Sequence, residues 1–367
     1  PSHKTQELRL TLMGHPAYKG PGAWWGLRGY RMNAPRHPVG RVPPPGVNTA
    51  LSSGALARCL LGLAMLALAL GTVPSVNGIM AGGETALPAD SPSNRLDPLG
   101  AASPFNAVGA LAINSSGFNY RGSGVALSPN WVLTAGHNLD FNDDGQPDAG
   151  LAISFNLPGW GAYSAASFHI HPDFTGFGNP SIQHDLGLLY FAAPLPTGLF
   201  FPALSCELQL GDEVVLVGFG RSGYGSYGYT TAASLTDRRV GRNVVDEFTS
   251  DDRGGSLAAV FHYDFDAPDT AGQAGGSLGN DVESLIAPGD SGGPLLVGQG
   301  AGYALAGINT FTEGYGGRFG DFGGGIVLSP HLDWISEVTG LLIPEPSGVC
   351  LLAAGLLFAF TRKRTFL

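Results

Sequence analysis

Short apolar runs recur along most of the chain and are separated by clusters of turn-forming residues. The runs occupy residues 107–113, 131–135, 151–157, 186–191, 214–219, 258–263, 294–298, 303–308 and 325–328. They are only four to seven residues long, and the chain contains 57 glycines. Such lengths suit strands, whereas helices usually need ten or more residues. Many short strands joined by turns predict an all-β barrel or sandwich.

One helix is predicted after the last of these runs. Ser329 can cap its start, Pro330 suits its first turn, and Gly340 can end it. Its apolar face is formed by Leu332, Ile335 and Val338. The sequence therefore predicts an all-β fold with a short C-terminal helix.

A first long apolar segment, residues 59–70, follows Arg58 and is shorter than the roughly 20 residues that span a bilayer. We interpret residues 51–78 as a signal peptide, with cleavage before Ile79 or, as an alternative, before Gly82. An uncleaved membrane anchor is a further alternative. Residues 1–50 are a basic, proline-rich leader, which we interpret as lying upstream of the true start.

A second apolar segment, residues 347–360, follows the letters PEP at 344–346 and precedes RKR at 362–364. This order resembles the PEP-CTERM sorting tail of Gram-negative bacteria, so residues 344–367 are expected to be handled by an exosortase-like machinery. The alternative is a simple C-terminal membrane anchor. Both interpretations place the part of the chain between the two apolar segments, here called the body, outside the cytoplasm. It would lie in the periplasm, at the cell surface or in the medium, with membrane association through the tail.

The body between these segments is strongly acidic. It carries 8 basic and 27 acidic residues, a net charge of −19, and no lysine. Such a surface repels nucleic acid and attracts cations, so nucleic-acid binding is excluded. Cys206 is its only cysteine. The body therefore has no internal disulfide, and its stability must come from the core and from any bound ions.

Three motifs in the body carry candidate chemistry: GSGVALSPNWVLTAGHN around His137, HDLGLLYF around Asp185, and APGDSGGPLL around Ser291. A serine hydroxyl is a weak nucleophile, so it needs a base, and the base needs a third group that fixes its tautomer. His137 is the predicted base and Asp185 its orienting partner. The neighbouring glycines let the amides of Gly289 and Ser291 converge on one oxyanion.

These motifs resemble those of the trypsin-like serine proteases, which have a chymotrypsin fold. TAGH is similar to the family's TAAH, DLGLL to its DIALL, and GDSGGP is the unchanged signature. The resemblance covers residues 105–340. It implies two antiparallel six-stranded β-barrels in a domain at residues 105–343, preceded by an irregular lead-in at residues 79–104. It also implies peptide hydrolysis through an acyl-enzyme, without a cofactor for catalysis.

The resemblance implies further roles for individual residues. Asp290 would pair with the α-amino group of a mature N-terminus, and the letters IMAGGE from Ile79 resemble the family's IVGG start with one extra residue. The specificity pocket would be formed by Leu285, Thr310, Thr312 and Gly325. Because no acidic residue stands on its floor, we expect a small or modest apolar side chain in the substrate.

An acidic loop follows His137 closely. Its residues Asp140, Asn142, Asp144, Gly145 and Asp148 fit D-x-N-x-D-G-x-x-D, the first nine positions of an EF-hand-like loop, and the Gln146 carbonyl could close a shorter calcium loop. The pattern suits a hard cation such as Ca²⁺. Leu151 stands at the twelfth position in place of glutamate, so a full EF-hand is excluded. We predict a structural calcium ion, against the alternative of a solvated acidic turn.

The sequence therefore predicts a secreted serine endopeptidase that acts on protein or peptide substrates after processing by signal peptidase. Two alternatives remain open. The first is a catalytically silent homologue that serves as a cell-surface binding module, and the second is an esterase with the same triad. An α/β-hydrolase is disfavoured, because only His331 follows Ser291 and it lies within the predicted helix.

Overall fold

The structure is a computed structural model that describes residues 79–177, 182–204, 207–268, 277–300, 302–314 and 316–343. The leader at 1–50, the signal peptide at 51–78, the tail at 344–367 and Cys206 lie outside the described residues, so those predictions stay predictions. None of the described helices is long and apolar enough to cross a membrane.

The first half of the body forms one antiparallel sheet of seven strands. The strands are β1 (Val108–Ser115), β2 (Phe118–Ser128), β3 (Trp131–Thr134), β4 (Ala152–Leu157), β5 (Gly161–Ser164), β6 (Ser167–Ile170) and β7 (Gly187–Tyr190). Their order across the sheet is β5-β4-β1-β2-β3-β7-β6. Ser116 and Gly117 form the β1–β2 turn with φ angles of 50° and 85°. Positive φ at both positions matches the right-handed twist of the two strands.

The second half supplies the remaining strands. They are β8 (Glu213–Gly218), β9 (Ser222–Tyr224), β10 (Gly228–Thr231), β11 (Arg239–Val244), β12 (Glu247–Thr249), β13 (Val260–Asp264), β14 (Pro294–Gln299), β15 (Gly302–Glu313) and β16 (Phe322–Val327). Seven of them form a second antiparallel sheet in the order β11-β8-β14-β15-β16-β13-β12, while β9 and β10 pair separately.

The predicted all-β class with curled antiparallel sheets is confirmed. The strand number differs from the prediction, since each large sheet has seven strands and not six. Short strands such as β5 and β12 are largely exposed and carry no apolar run, so the hydrophobic pattern does not reveal them. Pairing with a longer neighbour is what makes them strands.

The C-terminal helix is also confirmed, with a different start. A 3₁₀ turn at Ser329–His331 precedes α1 (Leu332–Thr339), and Ser329 makes no capping hydrogen bond. The predicted N-cap is therefore wrong. Gly340 ends the helix with φ 70°, the left-handed conformation expected for this position.

The apolar core has three parts. One lies within the first sheet and includes Leu111, Phe155 and Leu189. Another lies within the second sheet and includes Ile79 and Leu285. The third contains residues of both sheets and Ile335 of α1, so it joins the two halves of the body.

The lead-in at residues 79–104 is fixed against the second sheet by buried polar contacts. Arg95 pairs with Asp90, and both are buried. Arg238 Nε donates to Asp97 Oδ2 at 2.8 Å, and Leu96 bridges to Arg239 of β11. Paired and hydrogen-bonded charges are the form in which such groups are tolerated in an interior. This segment is therefore an integral part of the folded body.

Candidate active site

His137 lies in a 3₁₀ turn, Gly136–Asn138, that begins two residues after the end of β3, and Asp185 lies two residues before the start of β7. The two strands are neighbours, which brings the side chains together. Asp185 Oδ2 lies 2.7 Å from His137 Nδ1, and its Oδ1 accepts the His137 backbone N–H at 2.8 Å. Asp185 is completely buried. One carboxylate therefore fixes both the backbone and the ring of His137.

Ser291 lies in the turn before β14, and its backbone oxygen is held by the first sheet. Ser123 N–H donates to this oxygen at 2.8 Å, and Asn138 Nδ2 donates to it at 2.9 Å. His137 and Ser291 line the same cavity of about 330 Å³. No hydrogen bond joins these two described residues, and such contacts often tighten only when substrate binds.

The backbone amides around Ser291 alternate between used and available donors. The amides that donate within the protein are those of Asp290 to Ala287, Gly292 to Asn309 and Gly293 to Asp290, each at 2.8 Å. In the described part of the chain, the amides of Gly289 and Ser291 have no protein acceptor. Gly289 adopts φ 100°, a conformation that favours glycine. The turn thus leaves two spare donors, two residues apart, beside the serine.

The electrostatic surroundings of His137 favour its protonated form. Burial lowers its pKa, but the charge and hydrogen bond of Asp185, with a contribution from the Asp143 charge, outweigh burial and raise the pKa above 6.5. The Phe177 ring lies 4.9 Å from the imidazole, centroid to centroid, at a tilt of 56°.

Asp290 is buried between the serine turn and the start of the described chain. Its Oδ1 accepts the Gly220 amide at 2.6 Å, and its Oδ2 accepts the amides of Ala287 at 2.8 Å and Ile79 at 3.3 Å. Burial raises the pKa of Asp290 to about 6, although the three amides and the Arg239 charge lower it. The structure therefore brings Asp290 and Ile79 together.

Ile79 and Met80 are fully buried, and Met80 N–H donates to Leu285 O at 2.8 Å. Ile79 has φ 46°, in a region that β-branched residues rarely adopt. Such strain typically amounts to about 1–3 kcal/mol and persists only where the surroundings impose it.

The four predicted pocket residues divide into two pairs. Thr310 and Thr312 line the cavity that contains His137 and Ser291. Leu285 does not line it, because its side chain is fully buried in the core of the second sheet. Gly325 does not line it either, since it lies in β16, where an added Cβ would be 1.9 Å from Ile308 O. The predictions for Leu285 and Gly325 are therefore corrected.

The remaining residues of the cavity wall were not predicted from the sequence. They are Phe177, Ile182, Ile286, Ala287, Pro288, Phe311 and Glu313. Residues 286–288 and 311–313 adjoin the serine motif and the predicted threonines, so proximity along the chain could have found them. Phe177 and Ile182 belong to no motif that could have identified them, because only the fold brings them close to His137.

The acidic loop packs beside this site, and its carboxylates serve as hydrogen-bond acceptors. Asp140 is buried and accepts the amides of Asp144 at 3.1 Å and Gly145 at 2.7 Å. Asp148 accepts the Phe141 amide at 3.2 Å and the Ser115 hydroxyl. Among the described residues, three His, Cys, Asp or Glu ligand atoms meet within 4.8 Å in three places, and this loop is not one of them. The calcium ion stays a prediction.

The remaining predicted ligands also bond within the loop. Asn142 Nδ2 donates to Asp144 Oδ2 at 3.0 Å, and Gln146 N–H donates to Asp144 Oδ1 at 3.0 Å. The neighbouring Asp143 Oδ1 accepts the Phe177 amide at 3.3 Å. The loop therefore supports the segment whose ring covers His137.

The described residues form two curled antiparallel sheets and a short C-terminal helix. A family model described as Trypsin matches residues 101–335, and the chain belongs to this family. Among solved structures, the chain is similar to one described as HL collagenase, with 18% sequence identity and a TM-score of 0.47. That match covers 65% of this chain and 95% of the other. A search of the curated proteins finds no match.

Proposed function

We propose that this chain is an exported serine endopeptidase with Ser291 as nucleophile, His137 as general base and Asp185 as its orienting partner. The observation that carries the proposal is a pair of contacts between Asp185 and His137. Asp185 Oδ2 lies 2.7 Å from the ring Nδ1 and Asp185 Oδ1 lies 2.8 Å from the backbone nitrogen, and His137 lines the same cavity as Ser291. Membership of the trypsin family supports the same chemistry.

The proposed reaction follows from the site. Ser291 Oγ attacks the substrate carbonyl carbon while its proton passes to Nε2 of His137. The carbonyl oxygen becomes an oxyanion, which the spare amides of Gly289 and Ser291 stabilise. The intermediate collapses to an acyl-enzyme as His137 protonates the leaving amine. A water molecule, deprotonated by His137, then releases the acyl group and restores Ser291.

The burial of the segment at Ile79 supports cleavage before this residue. Met80 bonds to Leu285, and Ala81 forms a parallel bridge to Tyr224. A cut before Gly82 would remove these contacts. A cut before Ile79 would keep them, remove the constraint on its φ angle, and place an α-ammonium group beside Asp290. We therefore propose Ile79 as the mature N-terminus, with signal peptidase as the processing enzyme.

The cavity supports a small or modest apolar side chain in the substrate. Its walls include Ile286, Ala287 and Phe311, while Leu285 fills the core behind it. Glu313 adds one exposed carboxylate to the lining. Protein or peptide substrates, exosortase-like processing of residues 344–367 and a location outside the cytoplasm complete the proposal.

A serine-reactive fluorophosphonate tests the proposed function. We expect the native protein to be labelled once, with the adduct at Ser291 by peptide mass spectrometry, and the heat-unfolded protein to remain unlabelled. An unlabelled Ser291 in a protein with a cooperative melting transition would contradict the proposal. Digestion of a peptide library then distinguishes the peptidase from an esterase, which would cleave only ester substrates.

The pH profile tests the assigned base. Because His137 must be neutral to accept a proton and its pKa is raised, kcat/KM should rise with pH through a midpoint above 6.5. Asp143→Asn removes one charge that raises this pKa, so the midpoint should move down. Asp144→Asn, in the same loop, is the control and should leave the midpoint unchanged. An identical shift in both variants would count against the assigned contact.

Calcium is tested by thermal unfolding with and without a chelator. We expect chelation to lower Tm and added Ca²⁺, but not Mg²⁺, to restore it, because four carboxylates near one another repel unless a cation lies among them. Equal Tm values in all three conditions would remove the calcium proposal.

A further inference from the structure

Three histidines meet in the interior, and one of them is the neighbour of Asp185 in the chain. His171 follows β6, His184 directly precedes Asp185, and His331 directly precedes α1. Their exposed fractions are 7%, 6% and 5%. The ring centroid of His171 lies 5.2 Å from that of His184 and 4.7 Å from that of His331, and the centroids of His184 and His331 are 5.4 Å apart. One ligand atom of each ring lies within 4.8 Å of the other two.

Hydrogen bonds account for two of the rings and not for the third. His331 Nδ1 lies 3.2 Å from His171 Nε2, and His171 Nδ1 accepts the Asp173 amide at 3.2 Å. Both ring nitrogens of His184 are buried without a hydrogen-bond partner among the described residues. The nearest charge is Asp251 Oδ1, which lies 3.7 Å from His184 Nε2. A buried imidazole without a partner is unfavourable unless another ligand satisfies it.

The cluster supplies the kind of ligand atoms that a metal ion needs. Imidazole nitrogen is the commonest metal ligand in proteins. The three buried rings offer one nitrogen each, and the Asp251 carboxylate lies beside them, 3.7 Å from His184 Nε2.

We propose that His171, His184 and His331 bind a structural zinc ion, with the fourth position facing Asp251. Zn²⁺ prefers tetrahedral sets of nitrogen, sulfur and carboxylate ligands. With Zn–N bonds of about 2.0–2.1 Å, two ligand nitrogens at tetrahedral positions are about 3.3 Å apart. The His331–His171 separation of 3.2 Å matches this value. Coordination through His171 Nε2 leaves a proton on Nδ1 and releases the Asp173 amide contact.

The site would join parts of the chain that are distant in sequence. The ion would connect the segment after β6, the residue before Asp185 and the start of α1. The body has no second cysteine for a disulfide, and a metal is the alternative way to link distant segments. Because His184 and Asp185 are adjacent, the ion would also restrain the backbone that carries the carboxylate of the active site.

Metal titration of the chelator-treated full chain tests the proposal. We expect one equivalent of zinc per chain by elemental analysis, and a Tm increase of about 5 °C or more at saturating zinc. Cobalt should give the visible absorption of a tetrahedral complex. Cobalt should also quench Trp334, whose ring lies 4.9 Å from that of His171. Zinc X-ray absorption should show three imidazole nitrogens at about 2.0–2.1 Å.

Two ligand variants and one control locate the ion. His184→Asn retains a residue that tolerates the φ of 57° at this position, and His331→Gln removes the ligand next to α1. Each should weaken zinc binding by at least about a hundredfold. His169→Gln, on β6 but outside the cluster, should bind zinc like the parent chain.

Three results would overturn the proposal. One is a folded parent chain that binds no zinc, which would leave a metal-free imidazole cluster. Another is binding that survives unchanged in both ligand variants, which would place the ion elsewhere, for example at His137. The third is an X-ray absorption spectrum of the parent chain with fewer than three imidazoles, a result that does not depend on the folding of any variant.

Discussion

Ser291→Ala is expected to lower kcat/KM by about a millionfold, with no change in the melting transition. Without Oγ no acyl-enzyme forms, and the Asp185–His137 pair has no nucleophile to activate. The residual rate comes from substrate binding and the two spare amides, as in other enzymes with this triad. Asp185→Asn should cost about ten-thousandfold, because the amide favours the wrong tautomer of His137.

The control for this comparison is Ser256→Ala, which removes a hydroxyl that bonds to Ala258 O and does not line the cavity. Its kcat/KM should equal that of the parent chain. The measurement needs active-site titration, so that misfolded protein is not counted as slow enzyme. Peptide cleavage by Ser291→Ala above about one thousandth of the parent rate would contradict the assigned nucleophile.

A chain that retains residues before Ile79 is expected to be about a hundred to ten thousand times less active than one that begins at Ile79. In the uncut chain an amide N–H meets the buried Asp290 carboxylate. The burial that raises the pKa of Asp290 to about 6 shows how poorly this site tolerates an uncompensated charge. Loss of a buried ionic partner typically costs about 3–5 kcal/mol, which corresponds to that range of rates.

Asp290→Asn should show the same loss when the chain begins at Ile79, because the carboxamide cannot balance an ammonium group and its NH₂ group faces amide donors. Asp281→Asn, at an exposed position, is the matched control and should keep full activity. The rates should be compared by kcat/KM on one peptide substrate. Equal activity of the extended and the processed chain would refute the proposed pairing.

The sequence predicted the motifs better than their surroundings. His137, Asp185 and Ser291 lie in short motifs whose chemistry constrains several adjacent positions, so each motif can be recognised from its own letters. Leu285 and Gly325 were placed in the pocket by the family resemblance alone. A resemblance gives a position along the chain but not the direction of a side chain, and that of Leu285 is buried in the core of the second sheet.

The histidine cluster, in contrast, could not be predicted from the sequence. His171, His184 and His331 extend over 160 residues and share no local motif, so only the folded sheets and α1 bring them together. The short strands were missed for a related reason: β5 and β12 are specified by their partners and not by an apolar pattern of their own. Tertiary pairing, which the local sequence does not encode, supplied both features.

The proposed N-terminus at Ile79 also bears on how this protein can be produced. On the proposed pairing, an affinity tag or fusion partner at the N-terminus would leave an amide in place of the ammonium group, so preparations with intact tags would be folded but have the low activity of the uncut chain. A cleavable leader that ends immediately before Ile79 avoids this difficulty. At the other end, Leu342 is almost fully exposed, so a handle placed after Ile343 would not disturb the body.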